Sequence, residues 1–370
     1  MKILSVTPAF APQIGGIEMV VQELATRLNA LGHAVDVAHV HTSHRTLHTE
    51  RVNGLTVHRV PLLGHRLLGL APALGPLAAG YDLLHVHDPQ LMAITASVRL
   101  FAGGVPALLS THGGFHHTQQ LSLFKRLFER FALRHALSHY RSVLASSVAD
   151  EAYFRDFSDR VVLCGNGVAT DKFGVVPASL DRPLNRWIYW GRLSRNKRVD
   201  QLINTVALAH REGMPVDLLI CGRDFDGIAD QLKAQVSALK LQDAIRFEAF
   251  LSDEDLLREL RQRGVYATAS EHEGFGLSIV EAMAAGLQIL CRDMTPLNTF
   301  VQAGVTGQFL AFEGGQADVL ADTRALQALQ RQDATARGEG RLKARATADI
   351  YNWQGAAKRF EQLFREALSP

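Results

Sequence analysis

Glu273 and Glu281 stand eight positions apart in the run from His272 to Gly286, HEGFGLSIVEAMAAG, with Gly274 and Gly276 close behind the first of them and a helix-forming stretch from Leu277. Carboxylates accept hydrogen bonds from hydroxyls. The glycines let backbone come close to a ligand, and the free amides of a helix start attract an anion such as a diphosphate. One carboxylate before the helix and one just over a turn inside it can therefore take two sets of hydroxyls, those of a hexose and those of a ribose. A surface loop with a Glu at each end is the plain alternative.

A second cluster is GRLSRNK, residues 191–197, where Arg192 and Lys197 lie between a strand-like run and a helix-like one. Two cations there can converge on phosphate oxygens. Gly15 and Gly16 make a turn after the first apolar run, just before a helix that carries Glu18. His112 ends another apolar run, in STHGG, where an imidazole either meets a substrate or settles into the structure.

Other signals are weaker. His85 and His87 alternate and so share a face, and His112, His116 and His117 add imidazoles, but no carboxylate or cysteine completes a ligand set, so no metal site is expected. Asp224-Phe225-Asp226 has the D-x-D spacing of a manganese pair, yet it follows the strand-like DLLICGR and reads as a loop. Gly274-Phe275-Gly276 lacks the third glycine and the later acidic residue of a dinucleotide fingerprint. The segment Leu121 to His139 sets Lys125, Arg126, Arg130 and Arg134 among Leu123, Phe124, Leu127, Phe128, Phe131 and Leu133. Such a helix rests on anionic lipid or packs partly buried.

The elements that must position these residues alternate along the chain. KILSVTP, AVDVAHV, DLLHVHD, PALLSTH and RSVLASS read as buried parallel strands, with Ile17 to Leu31 as a helix among them. WIYWGRL, DLLICGR, IRFEAF, VYATAS and LQILCRD repeat the scheme, with Val199 to Arg211 helical. Pro177 and Pro183 mark the stretch from Lys172 to Pro183 as a linker. A chain of 370 residues exceeds one core, and open α/β sheets bind ligands at their strands' carboxyl ends, so two domains facing across a cleft are expected. A formal charge of +2 argues against a nucleic-acid partner. Cys164, Cys221 and Cys291 read as reduced core residues. The opening MKILSVTPAF is a first strand and not a secretory signal. Leu62 to Gly80 comes nearest to a membrane span, but His65, Arg66, Pro72 and Pro76 interrupt it, which leaves peripheral membrane contact only.

HEGFGLSIVEAMAAG, with PQIGGIE, STHGG, GNGVATDKF and GRLSRNK in the same order, resembles the E-x7-E pattern of the retaining family 4 glycosyltransferases. STHGGFHHT, the basic helix after it and CGRDFD are similar to the xanthan- and acetan-type bacterial mannosyltransferases, which add α-mannose from GDP-mannose to a polyprenyl-diphosphate-linked cellobiose. The resemblance implies an α/β GT-B fold: an acceptor-binding Rossmann-like domain over 1–174, a sugar-nucleotide-binding one over 175–350, and a last helix, 351–370, crossing back to the first. It implies that Arg192 and Lys197 neutralise the diphosphate in place of a metal, that Glu273 holds the hexose and Glu281 the ribose. Gly15, Gly16, Gly274, Phe275, Gly276 and Leu277 would approach the donor, and His112 the donor sugar. A GDP- or UDP-linked sugar is then a co-substrate, no cofactor or metal is required, and the enzyme sits at the cytoplasmic face of a bacterial plasma membrane, held by 121–139. A sugar-nucleotide epimerase and an inert sugar-nucleotide-binding scaffold are the rival readings.

Overall fold

Runs rich in Val, Ile and Leu that are buried on both faces can be satisfied only inside parallel sheets covered by helices. Two such sheets organise the computed structural model, which describes residues 1–12, 15–113, 132–177 and 181–369. The first contains β1 (Lys2–Thr7), β2 (Ala34–His41), β3 (His48–Val52), β4 (Leu55–Pro61), β5 (Leu83–Val86), β6 (Ala107–Ser110), β7 (Ser142–Ala145) and β8 (Val161–Leu163). Its order is β3-β4-β2-β1-β5-β6-β7-β8. All of these pairs are parallel except β3 with β4. That exception is a hairpin the strand reading above did not contain. Asn53 and Gly54, at φ 49° and 82°, supply the left-handed two-residue turn that a tight hairpin needs.

The second sheet is all parallel, with β9 (Arg186–Trp190), β10 (Asp217–Cys221), β11 (Ile245–Glu248), β12 (Val265–Ala267), β13 (Gln288–Cys291) and β14 (Gly307–Phe309). Its order is β11-β10-β9-β12-β13-β14, so the winding reverses between β9 and β12. In an open α/β sheet that reversal opens a crevice for ligand at the strands' carboxyl ends. The helices Gly16–Ala30 and Val199–Arg211 stand where their three-and-four spacing puts them.

The chain divides into two compact units, Met1–Gly167 with Trp353–Pro370, and Val168–Asn352. The final helix, Trp353–Leu368, thus returns to the first unit and packs on Gly16–Ala30. Trp353, Phe360 and Phe364 are its buried side; truncating a core aromatic of this kind typically costs about 3–5 kcal/mol. The stretch from Lys172 to Pro183, expected as a linker, belongs to the second unit. The changeover comes earlier because Val168 donates its amide to Tyr351 O at 2.7 Å and the two crossing segments bridge each other at Val168 and Asn352. Most of the basic segment 121–139, with Lys125, Arg126 and Arg130, lies outside the described residues, as do His116 and His117. Arg134 is on the short helix Arg134–Leu137 and exposed. No described helix is long and apolar enough to cross a membrane.

Candidate functional site

Three loops leave the carboxyl ends of the neighbouring strands β10, β9 and β12, and backbone hydrogen bonds stitch them together. Leu193 donates to Arg223 O at 2.8 Å and Phe225 to Leu193 O at 3.0 Å, joining the loop after β9 to the one after β10. Glu271 donates to Asn196 O at 2.9 Å, joining it to the loop after β12. GRLSRNK and HEGFG, far apart in sequence, therefore form one rigid surface at the reversal point of the second sheet.

Side chains across this surface pair by charge. Lys197 Nζ is 2.6 Å from Glu273 Oε1, both side chains mostly buried. The exposed Arg192 lays its guanidinium 4.7 Å over the Phe225 ring, and Tyr189 donates its hydroxyl to Arg192 O at 2.9 Å. Stacking leaves the guanidinium edge free to fork onto two oxygens. Glu281 is held on both carboxylate oxygens: Lys172 donates to Oε1 at 3.1 Å and Trp190 Nε1 to Oε2 at 3.1 Å. Lys172 and Trp190 carried no role in the sequence reading. Lys172 lies in GNGVATDKF, but its partner is 109 residues away, beyond any periodicity; Trp190 is simply the last residue of β9.

The helix Leu277–Ala284 opens on Gly276, whose φ of 91° is left-handed and whose added Cβ would meet Leu297 Cδ2 at 2.9 Å. Only glycine fits both demands. Leu277 begins that first turn; Ile279 and Val280 already donate to Gly276 O at 3.0 and 3.2 Å, which leaves the Leu277 and Ser278 amides as the ones without a helical acceptor. Phe275 is buried against Phe300 and Tyr351, with ring centroids 5.3 and 5.5 Å away. Its ring anchors the loop, which leaves only its backbone to face a ligand.

The first unit carries the remaining residues. Gly15 caps the helix Gly16–Ala30 and Glu18 lies in its first turn. His112, two residues past β6, meets His87 Nδ1 through its own Nε2 at 2.9 Å. His85 lies beside His87, the rings tilted by 57° with centroids 4.1 Å apart, pairs with Ser110 Oγ at 2.7 Å, and lies against Phe360 and Phe364. His87 Nε2 is buried with no hydrogen-bond partner. Burial pushes all three imidazoles towards neutrality, His85 down to about 3, His112 to about 4 and His87 well below the ordinary value. Asp150 fixes the loop behind His112, accepting from Thr111 Oγ1, Ser146 Oγ and the Gly113 amide.

Asp224 and Asp226 are occupied structurally. Asp224 accepts the amides of Ile228 and Ala229 at the start of the helix Ala229–Ala238, and Asp226 accepts Arg195 N at 2.8 Å. Amide donation holds the Asp224 carboxyl below its usual range. Among the described residues, no three His, Cys, Asp or Glu side chains converge as a metal site.

The pattern described as Glycosyltransferase Family 4 matches residues 14–172, and that described as Glycosyl transferases group 1 matches residues 179–335. The chain belongs to the family 4 glycosyltransferases. This glycosyltransferase is 29% identical to the GDP-mannose:cellobiosyl-diphosphopolyprenol alpha-mannosyltransferase of Komagataeibacter xylinus, over 100% of its own chain and 94% of the relative. The protein of the same name from Xanthomonas oryzae is 28% identical, over 100% and 97%. Among solved structures, a sucrose-phosphate synthase from Thermosynechococcus elongatus superposes with a TM-score of 0.76 at 20% identity, covering 99% of each chain. Anabaena HepE in complex with UDP and glucose gives 0.74 at 18% identity, over 99% and 100%. The two sheets and the returning helix are those of the GT-B fold.

Proposed function

We propose that this glycosyltransferase moves mannose from GDP-mannose to a hydroxyl of a lipid-linked saccharide, with retention at the anomeric carbon and without a metal. The observation that carries the reading is the match, along the whole chain, to relatives named for that donor and for a diphosphopolyprenol acceptor. The second unit's side chains suit the chemistry. Arg192 and Lys197 take up charge on the departing diphosphate, which is greatest in the transition state. Glu273 orients the hexose hydroxyls, and Glu281, set by Lys172 and Trp190, takes those of the ribose. The acceptor oxygen attacks the face that the nucleotide leaves. One C1–O bond breaks as the other forms, and the departing phosphate oxygen receives the acceptor's proton, so an α-linked nucleotide yields an α-glycoside. His112 contacts the donor sugar, and the backbone at Gly15 and Gly16 the donor phosphates.

The lipid-linked acceptor brings the enzyme to the cytoplasmic face of a bacterial plasma membrane, with the basic segment 121–139 drawn to anionic headgroups. The reading is tested by incubating the protein with GDP- and UDP-sugars and lipid-linked saccharides, with and without EDTA. Mannosyl transfer from GDP-mannose that is undiminished by EDTA is expected. Turnover of donor without acceptor would point to an epimerase, donor binding without turnover to a scaffold, and loss of activity in EDTA to metal chemistry.

A further inference from the structure

The stretch Leu62 to Gly80 is too broken to span a membrane, yet its start is built into an unusual shape. Leu63 and Leu70 exchange backbone hydrogen bonds, Leu63 N to Leu70 O at 2.8 Å and Leu70 N to Leu63 O at 3.0 Å. Gly69 N donates to His65 O at 2.6 Å, which closes the tip. The closure requires glycine, since a Cβ on Gly69 would lie 2.6 Å from Leu63 O. Below this neck the chain is anchored: Leu62 and Ala71 are buried, and Ala71 N donates to Ser97 Oγ at 3.0 Å. At the neck Leu63 and Leu70 are 60% and 36% exposed, and beyond it Leu68 is 72% exposed. A hydrogen-bonded frame thus holds three leucines in solvent, where a soluble surface gains nothing from them.

We propose that the loop Leu63–Leu70 is a lipid-insertion tip of the first unit, distinct from the basic segment 121–139; the proposal rests on the reading that the acceptor is lipid-linked. Two features select lipid as the occupant. The leucines project from a narrow closed loop, a shape that penetrates a bilayer surface and does not mate with a flat protein face. Arg66 is exposed on the same tip, and residues 62–81 contain no Asp or Glu, so the charge complements anionic headgroups while the leucines reach the acyl boundary.

The test uses phosphatidylcholine–phosphatidylglycerol vesicles and the full chain. An environment-sensitive dye on Leu68→Cys, the three native cysteines being buried, should shift to the blue on adding vesicles and stay shifted at high salt, because apolar burial is not screened. Replacing Leu63, Leu68 and Leu70 with Ser together should weaken vesicle binding by about 100-fold or more. GDP-mannose binding by that variant should be unchanged, which shows that it is folded. Arg66→Gln should weaken binding about fivefold, on anionic vesicles only. Absence of the blue shift, or wild-type sedimentation of the triple-serine variant, overturns the proposal. So does leucine-dependent self-association without vesicles, which would assign the tip to a second copy. Vesicle binding that depends on the leucines, in a protein that never transfers to lipid-linked acceptor, would sink the reading of the acceptor and leave the tip standing.

Discussion

Lys197 Nζ lies 2.6 Å from Glu273 Oε1, joining the cation assigned to phosphate and the carboxylate assigned to hexose across two loops of one unit. The pair is mostly buried, and a single substitution strands the other charge. Lys197→Met or Glu273→Gln alone is expected to lower unfolding free energy by about 1–3 kcal/mol, and the double variant by less than the sum, because coupled charges are not additive. Urea denaturation of the four proteins measures this.

Turnover separates the catalytic role from the structural one. Arg192→Ala, which breaks no ion pair among the described residues and unstacks from Phe225, should lower kcat by about 30-fold to 1,000-fold, the roughly 2–4 kcal/mol of one transition-state donor. Donor affinity should fall much less. A KM effect with kcat intact would make Arg192 a binding residue.

Glu281 should act on binding instead. Lys172→Met and Trp190→Phe each remove one donor to its carboxylate and should weaken donor affinity by about three- to tenfold, near 1 kcal/mol per hydrogen bond, with kcat nearly unchanged. Calorimetric titration with GDP tests it, and undiminished affinity in both variants would contradict the role given to Glu281.

Two buried imidazoles of the first unit, His85 and His87, give a pH dependence. Burial depresses His85 to about 3 and His87 well below the ordinary value, whereas the unfolded chain takes up these protons near pH 6.5. Stability from keeping them neutral is complete above about 6.5 and is lost as the pH falls towards the folded values. Each contributes a slope of about 1.4 kcal/mol per pH unit in that window. Replacing His85 with Gln should flatten the fall between pH 6.5 and 4.5 by about that slope; an unchanged slope by urea titration would show that His85 is charged when folded.

Much of this was legible because it is local. Runs such as DLLHVHD and LQILCRD read as strands since burial on both faces demands continuous apolar residues, and Val199–Arg211 declared its helix by spacing. The hairpin of β3 and β4 was missed, although Asn53-Gly54 carries its turn signal, because β3 is almost wholly exposed and offers no apolar run. Glu273 and Lys197 could be named from motifs but not paired, since nothing local sets a contact across 76 residues. Phe275 was grouped with the donor residues on the resemblance; its burial against Phe300 and Tyr351 is a tertiary fact. The same holds for His85, whose alternation with His87 hinted at ligation but whose neighbours are the aromatics of the final helix.

The most direct measurement is the anomeric configuration of the product formed from GDP-mannose and a cellobiosyl-diphosphate lipid in EDTA, read by proton NMR of the new linkage. The account predicts an α-mannoside from the first turnovers, and a β-mannoside, or no transfer until a divalent metal is restored, would contradict it.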